Sequence, residues 1–303
     1  MAMMHLSLLP GAEPFFFRGV GERGQIGCLI LHGFTGVPGD VRSLGAHLAA
    51  HGYTVYGPRL AHHGSDPADL NRSEWHDWYL SGLDGWHVLH AQCRQIVVIG
   101  LSMGGSTALL LAARLPVQAV IAMAAPLYLY PDWKLRLTRY IWRVYPFSAK
   151  PTRGSLQEAE EQFERESYNV NPVRGVAELL EYLDVVEANL RDVNVPALLI
   201  HSRQDQTVPP GNMDYIYERL GSSHKERLWL EQNSHVITES AEKALLFARV
   251  SDFVAAHTTP VALEEPPATP GENARWRQRW QILWQRFRPT TEPVAGGPKP
   301  TAH

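Results

Sequence analysis

Cysteine is nearly absent: Cys28 and Cys93 are the only two in 303 residues. Two thiols cannot build a disulfide framework, and Cys28 lies in an apolar run where it reads as a buried thiol. This usage fits a reducing compartment and a cytoplasmic protein. An excess of charge of one sign is also lacking. The 28 Lys and Arg against 31 Asp and Glu leave a formal net charge of -3, so nothing overall points to nucleic acid. No stretch reaches about 18 consecutive apolar residues, so no helix is expected to cross a membrane. Residues 1–10 lack the basic start and long apolar core of a signal peptide. No repeat of fixed period is visible.

What remains is ordinary globular composition, 45% apolar and 19% charged. A chain of this length can bury roughly 75% of its unfolded surface. Strand-like and helix-like segments alternate through most of it. Gln25 to Leu31 is a short apolar run ending at His32-Gly33. Residues 38–51 show helical spacing, with Val41, Leu44 and Leu48 on one face and Gly52 as the stop. Tyr53 to Tyr56 reads as a strand. Residues 73–91 read as a helix with Ser73 as its N-cap. The strand Gln95 to Ile99 precedes a helix over 104–115, and Gln118 to Met123 is another strand. Val195 to Ile200 and Arg227 to Leu230 complete the strands, with helices over 213–220 and 240–257. Near-continuous apolar strands separated by helices imply a mostly parallel sheet covered on both faces. In such sheets ligands bind beyond the carboxyl ends of the strands, and the chemistry-bearing residues fall there.

Gly100-Leu101-Ser102-Met103-Gly104 has the G-x-S-x-G form, placed between a strand and a helix as a nucleophile elbow requires. The glycines let the helix approach the strand, and the turn exposes the Ser102 hydroxyl. A serine hydroxyl needs a general base. Chain order in this arrangement is serine, acid, histidine. Among 14 histidines, His235 is the last at a strand end before the terminal helix. Asp205 follows the strand Val195 to Ile200 and would fix the imidazole tautomer. A developing oxyanion needs two donors, assigned to the backbone N–H of Met103 and of Phe34 in His32-Gly33-Phe34-Thr35-Gly36. No cofactor or metal is expected. His47 and His51 sit at i, i+4, but no third ligand is evident and they read as a surface pair. His62 and His63 lie near the predicted mouth, where they either line the site or hold the loop by hydrogen bonds.

These segments, with His201 to Pro210 (HSRQDQTVPP) and Ser234-His235-Val236-Ile237-Thr238, resemble the bacterial carboxylesterases and monoacylglycerol lipases of the α/β-hydrolase superfamily. The resemblance runs from about Gly27 to Val254. It implies an α/β-hydrolase fold with a small cap, the triad Ser102, Asp205 and His235, and oxyanion donors at Phe34 and Met103. One departure is Leu60-Ala61-His62-His63-Gly64, where the family often shows Pro-Gly-His-Gly. The function implied is hydrolysis of short- to medium-chain acyl esters, with monoacylglycerols among the substrates considered. Hydrolysis of thioesters or carbon–carbon bonds would use the same triad. A catalytically silent lipid-binding protein is the reading from another class.

The expected organisation is an α/β-hydrolase domain over 1–259, interrupted by a cap insertion at about 127–171 that holds many aromatics and a charged helical run over 156–166. A Pro-rich linker over 260–272, an amphipathic helix over 273–288 and a disordered tail over 289–303 follow. In 273–288, Trp276, Trp280, Trp284 and Phe287 share one helical face beside five arginines and no acid. That pattern suits a peripheral contact with an anionic bilayer at the inner membrane face. Docking on the enzyme's own surface or on a second subunit, and disorder with folding only on contact, are the competing readings, and oligomeric state is left open. Co-sedimentation with anionic liposomes, with and without 260–303, tests the first: membrane contact requires binding that the deletion abolishes.

Overall fold

A computed structural model describes residues 8–149, 168 and 170–260. The linker apart from Pro260, the amphipathic helix over 273–288, the tail and the charged run over 156–166 lie outside the described residues. The strands of the main sheet are β1 (Phe15–Phe17), β2 (Ile26–Leu31), β3 (Thr54–Gly57), β4 (Gln95–Leu101), β5 (Ala119–Met123), β8 (Ala197–Ser202) and β9 (Lys225–Leu230). A separate antiparallel pair, β6 (Phe147–Ala149) and β7 (Val170–Pro172), lies within the inserted region. The seven strands run in the order β1-β3-β2-β4-β5-β8-β9. All pairings are parallel except the one between β1 and β3.

Helices α1 (Gly39–Ala50), α2 (Pro67–Leu70), α3 (Trp75–His90), α4 (Met103–Arg114), α5 (Thr138–Ile141), α6 (Val173–Asn189), α7 (Gly211–Arg219) and α8 (Lys243–His257) complete the described residues. The period of two along each strand divides the core into two layers. Ile26, Cys28 and Ile30 of β2 and Val97, Ile99 and Leu101 of β4 pack with Val41, Leu44 and Leu48 of α1 and with Val250, Phe253 and Val254 of α8. Leu29, Leu31 and Val98 face the other way, toward Leu109 and Leu110 of α4 and Leu179, Tyr182 and Leu183 of α6. This is the α/β-hydrolase architecture, with helices on both faces of a mostly parallel sheet. Cys28 and Cys93 are both free and buried.

The helix before β4 differs from expectation at its start. Ser73 does not cap it. Its hydroxyl donates to the Leu70 carbonyl, 2.7 Å away, which closes the short α2. Glu74 takes the N-cap position of α3, and its backbone N–H donates to the Asp77 carboxylate at 2.9 Å.

Two glycines set the spacing between α4 and the sheet. A methyl group at Gly100 would overlap the Gly104 carbonyl oxygen, and one at Gly104 would overlap the carbonyl oxygens of Leu31 and His32. These are backbone atoms of α4 and of the end of β2, with no rotamer to change. Gly104→Ala is therefore expected to cost about 3 kcal/mol or more, the upper range for overpacking. Urea unfolding of the variant checks this, and a wild-type midpoint would contradict it.

Candidate active site

Ser102 sits between β4 and α4 at φ 56°, ψ −126°, in the left-handed region that a side chain rarely adopts. The conformation is held from both sides. Its N–H donates to the Met123 carbonyl at 2.7 Å, and its carbonyl accepts from Gly105 at 2.8 Å. The strain has a geometric result: the side chain leaves the sheet and points toward the loop after β9.

There the Ser102 Oγ lies 2.9 Å from His235 Nε2. His235 Nδ1 donates to Asp205 Oδ2 at 2.7 Å, which leaves Nε2 to accept from the hydroxyl. Asp205 follows β8 and is fully buried, while His235 stays slightly exposed. Ser102, assigned from its motif, and Asp205 and His235, assigned from strand order, are thus brought together. The loops carrying the acid and the histidine are also tied to each other. The Ser202 hydroxyl donates to the Asn233 carbonyl, and Arg203 N–H donates to the Leu230 carbonyl at 2.8 Å. Glu242 accepts from the backbone N–H groups of Glu231 and Gln232 at 2.9 and 2.8 Å.

Asp205 is saturated with donors. Its Oδ1 accepts from the N–H groups of Thr207 and Val208 at 2.8 and 2.9 Å. Its Oδ2 accepts from His235 and also from His201 Nε2 at 3.2 Å. Burial alone would raise its pKa. The adjoining His235 charge and the hydrogen bonds from His201, His235 and Val208 outweigh burial and hold the carboxyl well below the usual carboxylate range.

The loop after β2 packs directly on the serine: a Cβ on Gly33 would stand 3.0 Å from Ser102 Cβ. The loop turns through Thr35 at φ 58° and is fastened by Asp40, whose Oδ2 accepts from Val37 N–H at 3.1 Å. Beneath it, His32 is completely buried. Its Nδ1 donates to the Gly33 carbonyl at 2.9 Å and its Nε2 accepts from Leu60 N–H at 3.1 Å, which fixes the neutral tautomer. Of the two loop histidines, His63 takes the structural role. It is fully buried, donates through Nδ1 to the Ala61 carbonyl at 3.0 Å and packs on His32, Phe34 and Trp78. His62 is partly exposed and lies 3.5 Å from the Asp77 carboxylate. His47 donates to or accepts from the Ser251 hydroxyl at 3.0 Å, and His51 Nδ1 donates to the His47 carbonyl.

Sequence reasoning assigned no role to three residues that organise the site. His201 grips the acid. Buried Asn212 accepts from the N–H groups of Leu127 and Tyr128 at 2.7 and 3.0 Å and so fixes where the insertion leaves β5. The Tyr130 hydroxyl donates to the Asp205 carbonyl at 2.8 Å, joining the insertion to the acid loop. The described aromatics of the inserted region are largely exposed. Trp133, Tyr140 and Tyr145 are exposed at 70, 64 and 65%. Trp133, Leu137, Tyr140 and Val144 follow helical spacing through this stretch, and all four are exposed to solvent.

The sequence profile of the hydrolase family described as "Serine aminopeptidase, S33" matches residues 25–242. The chain belongs to that family. It is 33% identical over 260 residues to a thermostable monoacylglycerol lipase of Bacillus sp. strain H-257, covering 82% of this chain and 97% of the relative. It is 28% identical over 245 residues to a carboxylesterase of Bacillus subtilis strain 168, covering 80% and 96%. Among solved structures, one described with two metagenome-derived lipolytic enzymes matches at 34% identity and a TM-score of 0.74, covering 83% of this chain and 100% of the other. A monoacylglycerol lipase of Paleococcus ferrophilus shares the fold at TM-score 0.69 and 17% identity, covering 81% and 99%. The chain is a hydrolase of the α/β-hydrolase fold, and among the described residues no helix is long and apolar enough to cross a membrane.

The buried histidine beneath the site sets an acid limit on stability. Burial lowers His32 to about 4, outweighing the bond to the Gly33 carbonyl and the Asp40 charge, which act the other way. The unfolded chain binds this proton near about 6.5 while the folded protein refuses it. Stability is therefore full above about 6.5 and falls as pH drops toward 4. Between pH 6.5 and 5 the loss from His32 alone is about 2 kcal/mol, and His63, also lowered by burial, adds in the same direction. Urea titrations across this range check it; a constant unfolding free energy would contradict the assignment.

Proposed function

We propose that the protein is a serine carboxylic-ester hydrolase in which Ser102 is the nucleophile, His235 the general base and acid, and Asp205 the group that orients His235. The observation that carries this reading is the continuous chain of contacts from Ser102 Oγ to His235 Nε2 and from His235 Nδ1 to Asp205 Oδ2, at 2.9 and 2.7 Å. The relatives named as a monoacylglycerol lipase and a carboxylesterase support acyl esters as the substrate class. Short- to medium-chain esters, monoacylglycerols among them, are the proposed substrates.

In the proposed cycle, Ser102 Oγ attacks the ester carbonyl carbon as its proton passes to His235 Nε2. The carbonyl π electrons move onto oxygen and form a tetrahedral oxyanion. The N–H groups of Phe34 and Met103 are the proposed donors to it. Met103 is the first residue of α4, so its N–H has no acceptor within the helix, and the helix start favours negative charge. Loss of one such donor costs on the order of 3 to 4 kcal/mol of transition-state stabilisation. Collapse expels the alcohol, which takes the proton from His235 and leaves an acyl-enzyme. Water, deprotonated by the same imidazole, releases the acid and restores Ser102. Residues 127–171 are proposed as the cap that limits the acyl chain, a placement supported by the bonds from Tyr130 to Asp205 and from Leu127 and Tyr128 to Asn212.

Ser102→Ala is expected to leave a folded protein with ester hydrolysis reduced by about 10⁴-fold or more. Near-normal turnover in that variant would remove the reading. The imidazole accepts the serine proton only when neutral, while Asp205 stays ionised far into the acid range. Acidification should therefore lower kcat/KM through a single protonation, with a limiting slope of about one in log kcat/KM against pH. A slope near two, or no acid limb while circular dichroism still reports folded protein, would contradict the assignment.

A further inference from the structure

We propose that His224, Glu226 and His257 form a site for a divalent transition-metal ion of the zinc class, at the opposite end of β9 from His235. One ligand atom of each side chain lies within 4.8 Å of the others. The arrangement follows from the two periodicities that build the sheet. Positions 224, 226, 228 and 230 share one side of the strand. On that side Leu228 and Leu230 pack into the core layer formed with α8. Val250, Phe253, Val254 and His257 fall on one face of α8, and the first three pack into the same layer. Where the apolar pairs run out, the next positions on both elements are His224, Glu226 and His257.

One pair of donors is already spaced as a metal requires. His224 Nε2 and Glu226 Oε1 are 3.2 Å apart, close to the ~3.4 Å edge of a tetrahedral site with bonds of about 2.1 Å. His257 Nδ1 donates to the Phe253 carbonyl at 2.9 Å, which fixes the neutral tautomer and leaves Nε2 as the lone-pair donor. Such a bond to the second ring nitrogen is the usual support of a metal-binding histidine. Arg249 holds the other carboxylate oxygen, Glu226 Oε2, so Oε1 remains for the ion. The His224 and His257 rings stand 4.7 Å apart, and a modest rotation of the exposed His224 side chain completes the triangle. Two imidazole nitrogens and one carboxylate oxygen select zinc and its neighbours over magnesium or calcium. Water fills the fourth position of this exposed site. The Arg249 charge opposes a cation and weakens its binding.

The site is remote from the chemistry. Six residues of β9 separate it from the loop of His235, roughly 20 Å at 3.3 Å per residue. Its effect is mechanical: a bound ion ties the last turn of α8 to the edge strand, so it stabilises the fold without touching Ser102. This inference stands independently of the ester-hydrolase reading.

The test uses the full chain, free of any affinity tag and stripped with a chelator, titrated with Zn²⁺ by calorimetry and thermal unfolding. Wild type is expected to bind one Zn²⁺ at a site that His224→Ala and His257→Ala each weaken at least tenfold. Zn²⁺ should raise Tm in wild type and not in the variants, and Mg²⁺ should do neither. His224 is largely exposed, so His224→Ala keeps the fold, which far-ultraviolet circular dichroism verifies. The proposal is overturned if wild type takes up no Zn²⁺ at millimolar concentration. It is equally overturned if the His224→Ala/His257→Ala double variant binds Zn²⁺ with unchanged stoichiometry and affinity.

Discussion

The contact between α4 and the ends of β2 and β4 is possible only because positions 100 and 104 carry no side chain. That close approach dictates the sharp turn at Ser102, and the turn forces the residue to φ 56°. The strained backbone is tolerated because both of its polar groups are satisfied by Met123 and Gly105 and because the flanking strand and helix lie in a fully buried core. A left-handed serine costs of order 1–3 kcal/mol. Two packed layers of apolar side chains over-determine it. Everything distal follows from where the turn aims the hydroxyl: the loop after β2 fits against it through Gly33, and the loop after β9 brings His235 to it.

The acid is the second fixed point. Asp205 accepts from two backbone N–H groups and two imidazoles, so its carboxylate is ionised and immobile although fully buried. A buried charge without such partners would cost several kcal/mol. His201 therefore does more than fill space after β8: it occupies the same oxygen that orients His235, and it limits the directions in which that carboxylate can turn. The neutral, buried pair His32 and His63 plays a matching part under the loop of Phe34. The price is acid sensitivity, since both rings must stay unprotonated in the folded state.

Most of this was legible where the signal is local. The stripe Val41, Leu44, Leu48 gave α1, the run Gln95 to Ile99 followed by Gly-Leu-Ser-Met-Gly gave β4 and the elbow, and strand order alone singled out Asp205 and His235. The misses share a cause, which is dependence on distant partners. β1 has three residues and exists because Phe15 to Phe17 pair with β3. Ser73 looks like an N-cap by type, yet Leu70 captures its hydroxyl and Glu74 takes the position. The roles of His201, Asn212 and Tyr130 arise from loops that meet only in the folded chain. α6 is the exception, because Leu179, Leu183 and Val186 carry its helical period in the sequence itself.

The central claim is that a strained, base-activated serine at position 102 is the reacting group, and covalent capture addresses it most directly. Intact-mass analysis after exposure to a fluorophosphonate, followed by peptide mapping, should find one adduct per chain, located on Ser102, with Ser102→Ala unlabelled. Folded wild-type protein that stays unmodified, or an adduct mapped to a different residue, would contradict the account.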